Sequence, residues 1–141
     1  MQAFHIVITA LPNTELSTRT VTLADIEVNT LQVPATLQAT PLGVSFEEAA
    51  AMLERLPRMF LEPDGSFVWV SSAEDAEAWQ VDGNLYDRAG SLVAIDLKGR
   101  CGKLQFVELF DLFRVSGTEL MIELVHDAVF VREHDFVARI Q

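Results

Sequence analysis

Apolar and polar residues alternate from the start of the chain. Phe4, Ile6 and Ile8 fall on one parity and His5, Val7 and Thr9 on the other, the pattern of a strand buried mainly on one face. The next apolar run changes phase. Val21 and Leu23 share one parity whereas Ile26 and Val28 share the other, which predicts a bulge or break at Ala24-Asp25. Residues 1–44 are rich in Thr, Val, Leu and Ile without a helical period, so they read as an N-terminal β region closed by the connector residues Pro34, Pro41 and Gly43.

Helical periodicity begins at residue 45. Ser45 and Glu48 match the Ser-x-x-Glu capping box, Phe46, Ala49, Ala50, Leu53 and Leu56 form one apolar stripe, and Pro57 stops the element. Period-two segments then return. Arg58 to Leu61 and Ser66 to Ser71 flank Glu62-Pro63-Asp64-Gly65 and predict a hairpin; Trp79 to Asp87 and Ser91 to Lys98 predict a second, turning at Asp87-Arg88-Ala89-Gly90, with a bulge at Gly83. Ser72 to Ala78 suggests a short acidic helical turn between them. A second helix is expected over Lys103 to Arg114, facing the core through Leu104, Val107, Phe110 and Phe113 and capped by Gly117. Thr118 to Val125 and Ala128 to Val131 close the chain as strands. Consecutive strands joined by tight turns pair antiparallel, so the pattern predicts an α+β fold: a largely antiparallel sheet of about six to eight strands covered by two principal amphipathic helices, in one domain spanning residues 1–141.

Leu85-Tyr86-Asp87-Arg88-Ala89-Gly90-Ser91-Leu92 resembles a single unit of the Tyr-Asp repeats of large bacterial Rhs-type shell proteins, which carry Tyr-Asp-x-x-Gly-x-Leu. The likeness covers eight of 141 residues and does not recur. Hairpin chemistry accounts for it, with Asp87 bonding back to the backbone and Gly90 at positive φ, and it carries no function to this chain.

Composition narrows the partners. Half the residues are hydrophobic and 22% charged, which excludes disorder as a description of the whole chain. The formal net charge of −11 opposes binding to nucleic acid or to an anionic membrane and favours cationic partners. That charge is uneven: residues 45–77 carry −6, residues 78–115 are neutral, and half of all Lys and Arg lie in the neutral stretch. The apolar windows Met59 to Val70 and Leu120 to Val131 are interrupted by carboxylates and fall short of the roughly 20 residues that span a bilayer. A lone cysteine, Cys101, and an N-terminus without a basic leader region point to the cytoplasm.

Candidate chemistry is sparse. Lys98-Gly99-Arg100-Cys101-Gly102-Lys103 gathers three of the ten cations where a strand gives way to a helix, so Lys98, Arg100 and Lys103 could cradle a small anion, although pairing with surface carboxylates explains them more simply. The glycine spacing differs from that of a phosphate-binding P-loop. Neighbouring cations and a helix start would lower the thiol pKa of Cys101 and make it a candidate nucleophile, but no histidine stands near it in sequence. His126-Asp127 and His134-Asp135 repeat eight residues apart, about 26 Å along an unbroken strand, too far to share one metal ion. No metal or cofactor signature is complete. The expectation is therefore a non-catalytic protein-interaction module that uses an exposed sheet face or edge, whose acidic stretch Glu47 to Glu77 selects a basic partner and which pairs with itself as a homodimer; the alternative is a small-molecule enzyme or sensor binding an anion at residues 98–103.

Overall fold

A computed structural model describes residues 1–115 and 117–140. Nine strands form one sheet: β1 (Ala3–Ala10), β2 (Thr18–Leu23), β3 (Ile26–Leu31), β4 (Met59–Leu61), β5 (Ser66–Val70), β6 (Gln80–Arg88), β7 (Ser91–Arg100), β8 (Leu120–Leu124) and β9 (Val129–Arg132). Their spatial order is β2-β3-β9-β8-β1-β7-β6-β5-β4, and every neighbouring pair is antiparallel. The helices are α1 (Phe46–Glu54), α2 (Lys103–Phe113) and the short α3 (Glu133–Ala138). The fold is thus α+β as expected, with nine strands in place of six to eight. The N-terminal β region is not set apart, because β1 lies at the centre of the sheet between β7 and β8.

The additional strand comes from the phase change. Ala24 and Asp25 both adopt positive φ (48° and 66°) and form a two-residue turn, so Leu23 faces Ile26 across a hairpin. A turn without glycine or asparagine carries little sequence signal. α3 is likewise absent from the periodicity, being six residues long and anchored by buried Phe136 and Glu133.

The core lies between the helices and one face of the sheet. Ile6, Ile8, Ile95, Leu97, Val81, Leu85, Phe67, Trp69 and Ile122 project from that face toward Ala49 and Leu53 of α1 and Phe106, Leu109, Phe110 and Phe113 of α2. Phe110 and Phe113 face the core as expected, whereas Phe106 and Leu109 take the inward places expected of Leu104 and Val107. Phe106 packs edge-on against Phe4 and Phe136, at centroid distances of 4.7 and 5.2 Å, and this aromatic cluster leaves Leu104 79% exposed. Gly117 does not cap α2 either: the helix ends at Phe113, and Arg114 is extended, its guanidinium held by Glu133 and Asp111.

Gly83 is not a bulge. It faces Phe67 across the β5–β6 pair, and a Cβ there would stand 2.1 Å from the phenylalanine ring, so the missing side chain is the seat of that ring. The irregularity in the second hairpin falls at Tyr86/Asp87 instead. Ser72 to Ala78 forms turns and bends without a helix, tied by the Asp75 carboxylate accepting from the Ser72 N–H. Among the described residues no helix is long and apolar enough to cross a membrane.

Candidate functional site: an acidic groove at the sheet edge

The most distinctive surface lies where α1 overhangs the last strand of the sheet. Ser45 Oγ accepts from the Glu48 N–H at 3.0 Å and Glu48 Oε1 accepts from the Ser45 N–H at 3.1 Å, which fixes the start of α1. Gly65 then seats that start against the β4–β5 turn. Its φ of +93° suits the turn, and a Cβ would lie 2.7 Å from the Phe46 ring, so only glycine lets the ring lie against the turn. Between these elements runs a groove of about 340 Å³, floored by Phe46, Ala50, Ala51, Leu61 and Pro63 and bordered by Glu47, Glu54 and Glu62. Glu47, Ala51 and Glu54 share one helix face by their i, i+4, i+7 spacing. Among the described residues none of the three glutamates is ion-paired.

β4 supplies the other half of the site. The Glu62 N–H bonds to Ser66 O and the Val70 N–H to Arg58 O, so the even-numbered residues of this segment bond inward to β5. The N–H and C=O groups of Met59 and Leu61 consequently point out of the sheet, beside the groove. Phe60, on the opposite face from α1, is 62% exposed. Asp64 reinforces the turn: the Ser66 hydroxyl and N–H both donate to its carboxylate, and those bonds hold its pKa below the usual value.

The uncovered face of the sheet carries a polar stripe. His5 Nε2 stands 3.0 Å from both oxygens of Asp96, and the His126 ring lies edge-on to His5 at 6.2 Å. The pair couples β1 to β7 across ninety-one residues of sequence, and nothing local announces it. Among the described residues the His5 ring is hydrogen-bonded to Asp96.

The cation cluster sits where expected, at the passage from β7 to α2, but its parts face several ways. Lys98 is exposed on the open face of the sheet, opposite His5 and Asp82; Arg100 donates to the Met1 carbonyl at 2.7 Å; Lys103 opens α2. The glycines serve the chain's own packing. A Cβ at Gly99 would meet the Gln80 carbonyl at 2.2 Å, and the Gly102 N–H donates to Gln105 Oε1 at 2.8 Å. Cys101 is 5% exposed, and burial pushes its thiol pKa up to about 12, opposite to the lowering that its cationic neighbours suggested. Desolvation outweighs nearby charge there, and the group stays a neutral thiol at neutral pH.

A second cleft, of about 380 Å³, opens beside α2 and α3, lined by Val107, Phe110, Arg114, Glu119, Glu133, His134 and Val137. Arg114 and Glu133 pair across it, and Glu133 also accepts from the Leu120 N–H. The Glu133 hydrogen bond, with Asp111 adding to it, raises the Arg114 pKa above its ordinary value. These groups satisfy each other and clamp the α2–β8 connection. His126 lies in the β8–β9 turn and His134 in α3, and among the described residues no three His, Cys, Asp or Glu side chains gather as metal ligands.

Sequence reading found the acidic stretch but not its shape, because the groove forms only when α1 is laid along β4. Comparison of the chain with family models, with curated proteins and with solved structures finds no match.

Proposed function

We propose that this chain is a non-catalytic protein-binding module that takes an extended basic segment of a partner along β4. What carries the reading is the groove: an apolar floor bordered by three glutamates, running beside outward-facing main-chain groups of an edge strand, with neither set partnered among the described residues. An extended segment adding to β4 would gain main-chain hydrogen bonds from Met59 and Leu61, while alternate Lys or Arg side chains reach Glu47, Glu54 and Glu62. Aliphatic side chains between them, on the opposite face of the added strand, would cover Phe60, while the alkyl stems of the Lys or Arg side chains lie over the groove floor. The net charge of −11 speeds the approach of such a partner and disfavours nucleic acid, and a cytoplasmic setting belongs to the same proposal.

The experiment is a fluorescence-anisotropy titration with a labelled peptide in which lysine alternates with valine. Binding should weaken steeply with added salt and drop at least tenfold in the combined variant Glu47→Gln, Glu54→Gln, Glu62→Gln. Equal affinity of that variant, or equal affinity for a peptide with glutamate in place of lysine, removes the proposal.

A further inference from the structure

The opposite edge of the sheet differs in every respect that matters for pairing, and we infer that it joins a second copy of this chain, β2 against β2, in a two-fold dimer.

The direction of the backbone groups follows from the hairpin. The Gln32 N–H donates to Ser17 O at 2.8 Å, and the turn at Ala24-Asp25 closes on Leu23 and Ile26. Both place the inward-bonding positions of β2 at Arg19, Val21 and Leu23. The N–H and C=O groups of Thr18, Thr20 and Thr22 therefore face out of the sheet as an unbroken row. β2 has no proline or lysine and runs in continuous register with β3 over all six of its residues. Of the devices that ordinarily blunt an edge strand it has no proline, lysine or bulge, and Arg19 is its one charge.

Charge identifies the occupant. In a chain at −11, residues 16–24 hold one guanidinium and no carboxylate, so two copies approach here without acid facing acid. An antiparallel pairing whose two-fold axis passes through Val21 sets Val21 against Val21 and Thr20 against Thr22 of the second copy. It also places Arg19 opposite Leu23 of the second copy and on the diagonal from that copy's Asp25, so each guanidinium gains a carboxylate neighbour on both sides of the axis. Val21 and Leu23 lie at the margin of the core, half-buried, and Ile26 beside them is 52% exposed. Their burial adds apolar contact to the main-chain bonds.

The dimer carries one continuous sheet made of two nine-stranded halves, with the two acidic grooves at its far ends. The inference stands on β2 alone and does not require the reading of β4.

The test uses the full chain. Light scattering across micromolar concentrations should show the mass rising from 15.7 kDa toward twice that value. Thr20→Pro, which removes an N–H that bonds to nothing within the hairpin, should hold the chain at 15.7 kDa with an unchanged circular dichroism spectrum. Because directly opposed, non-hydrogen-bonded residues of antiparallel strands stand about 4.5 Å apart at Cα, Val21→Cys should oxidise to a covalent dimer, and Thr20→Cys, which faces Thr22, should not. Cys101 is buried and stays out of that reaction. A wild-type chain that remains at 15.7 kDa throughout, or a dimer in which Val21→Cys fails to cross-link, overturns the inference; the cross-link decides the matter even if the proline variant fails to fold.

Discussion

The two edges of the sheet are built by different rules. β4 is three residues long, overhung by α1 and edged with carboxylates, and it is backed by the Trp69–Trp79 pair, whose rings meet edge-on at 4.7 Å, and by Phe67 seated on Gly83. β2 is six residues long, rich in threonine and free of acid, and its hairpin joins the rest of the sheet through the pairing of Leu31 with Phe130. One edge is short and bordered by acid; the other is long, even and free of acid. The lesson is that an edge strand is read from three things together: which main-chain groups face outward, what overhangs them, and what charge a newcomer would meet. By that measure β4 is the edge proposed for a cationic partner and β2 the edge proposed for a second copy.

The difference in support can be broken by mutation. Phe67→Ala empties the seat opposite Gly83 and should cost about 3–5 kcal/mol in denaturant unfolding, whereas Val28→Ala at the β2 end removes two methyl groups and should cost about 1–2 kcal/mol. Equal losses would mean that the two ends are held alike. Cys101, at the end of β7 near the middle of the sheet, supplies a reference common to both. Its folded pKa of about 12 lies above the ordinary value of 9.0, so its contribution is whole below pH 9 and is lost as pH rises toward 12. The loss amounts to at most about 4 kcal/mol, and Cys101→Val should flatten that part of the stability profile.

Gly83→Ala drives a methyl group into the Phe67 ring and should destabilise by about 1–3 kcal/mol, damaging the groove end while leaving the β2 edge intact. The combined Gln variant of Glu47, Glu54 and Glu62 should leave stability within about 0.5 kcal/mol, since all three are exposed, and should affect only peptide binding. Smallest of all is Asp64→Asn. Because the folded pKa of Asp64 is depressed by its Ser66 bonds, the stability it lends is present above its unfolded pKa and fades as pH falls through the folded one. The variant should be slightly less stable at neutral pH and should lose that part of the acid slope.

Much of the fold was legible because its signals are local. The capping box at Ser45 and Glu48, the Gly65 turn and the strand parity of Phe4, Ile6 and Ile8 each act within a few residues, and each forms as expected. The departures involve distant partners or non-glycine turns. Ala24-Asp25 turns the chain without the glycine or asparagine that most favours positive φ, and the placing of Phe106 in the stripe that α2 buries is set by Phe4 and Phe136, which no helical wheel of residues 103–113 contains. Gly83 reads as a bulge until Phe67 is placed across from it. The groove was visible only as an excess of acid, since Glu62 meets Glu47 and Glu54 through tertiary structure. Cys101 is the same lesson in electrostatics. Sequence shows the cations beside it, and only the fold shows the burial that dominates them.

The most direct measurement is a backbone amide chemical-shift titration of the full chain with the lysine–valine peptide. Shifts should concentrate on residues 46–54 of α1 and 59–63 at β4, saturate together and weaken with salt, while Thr18 to Leu23 stay unmoved. Shifts centred on β2, on the His5–Asp96 stripe or on residues 98–103, with α1 and β4 silent, would contradict binding at β4.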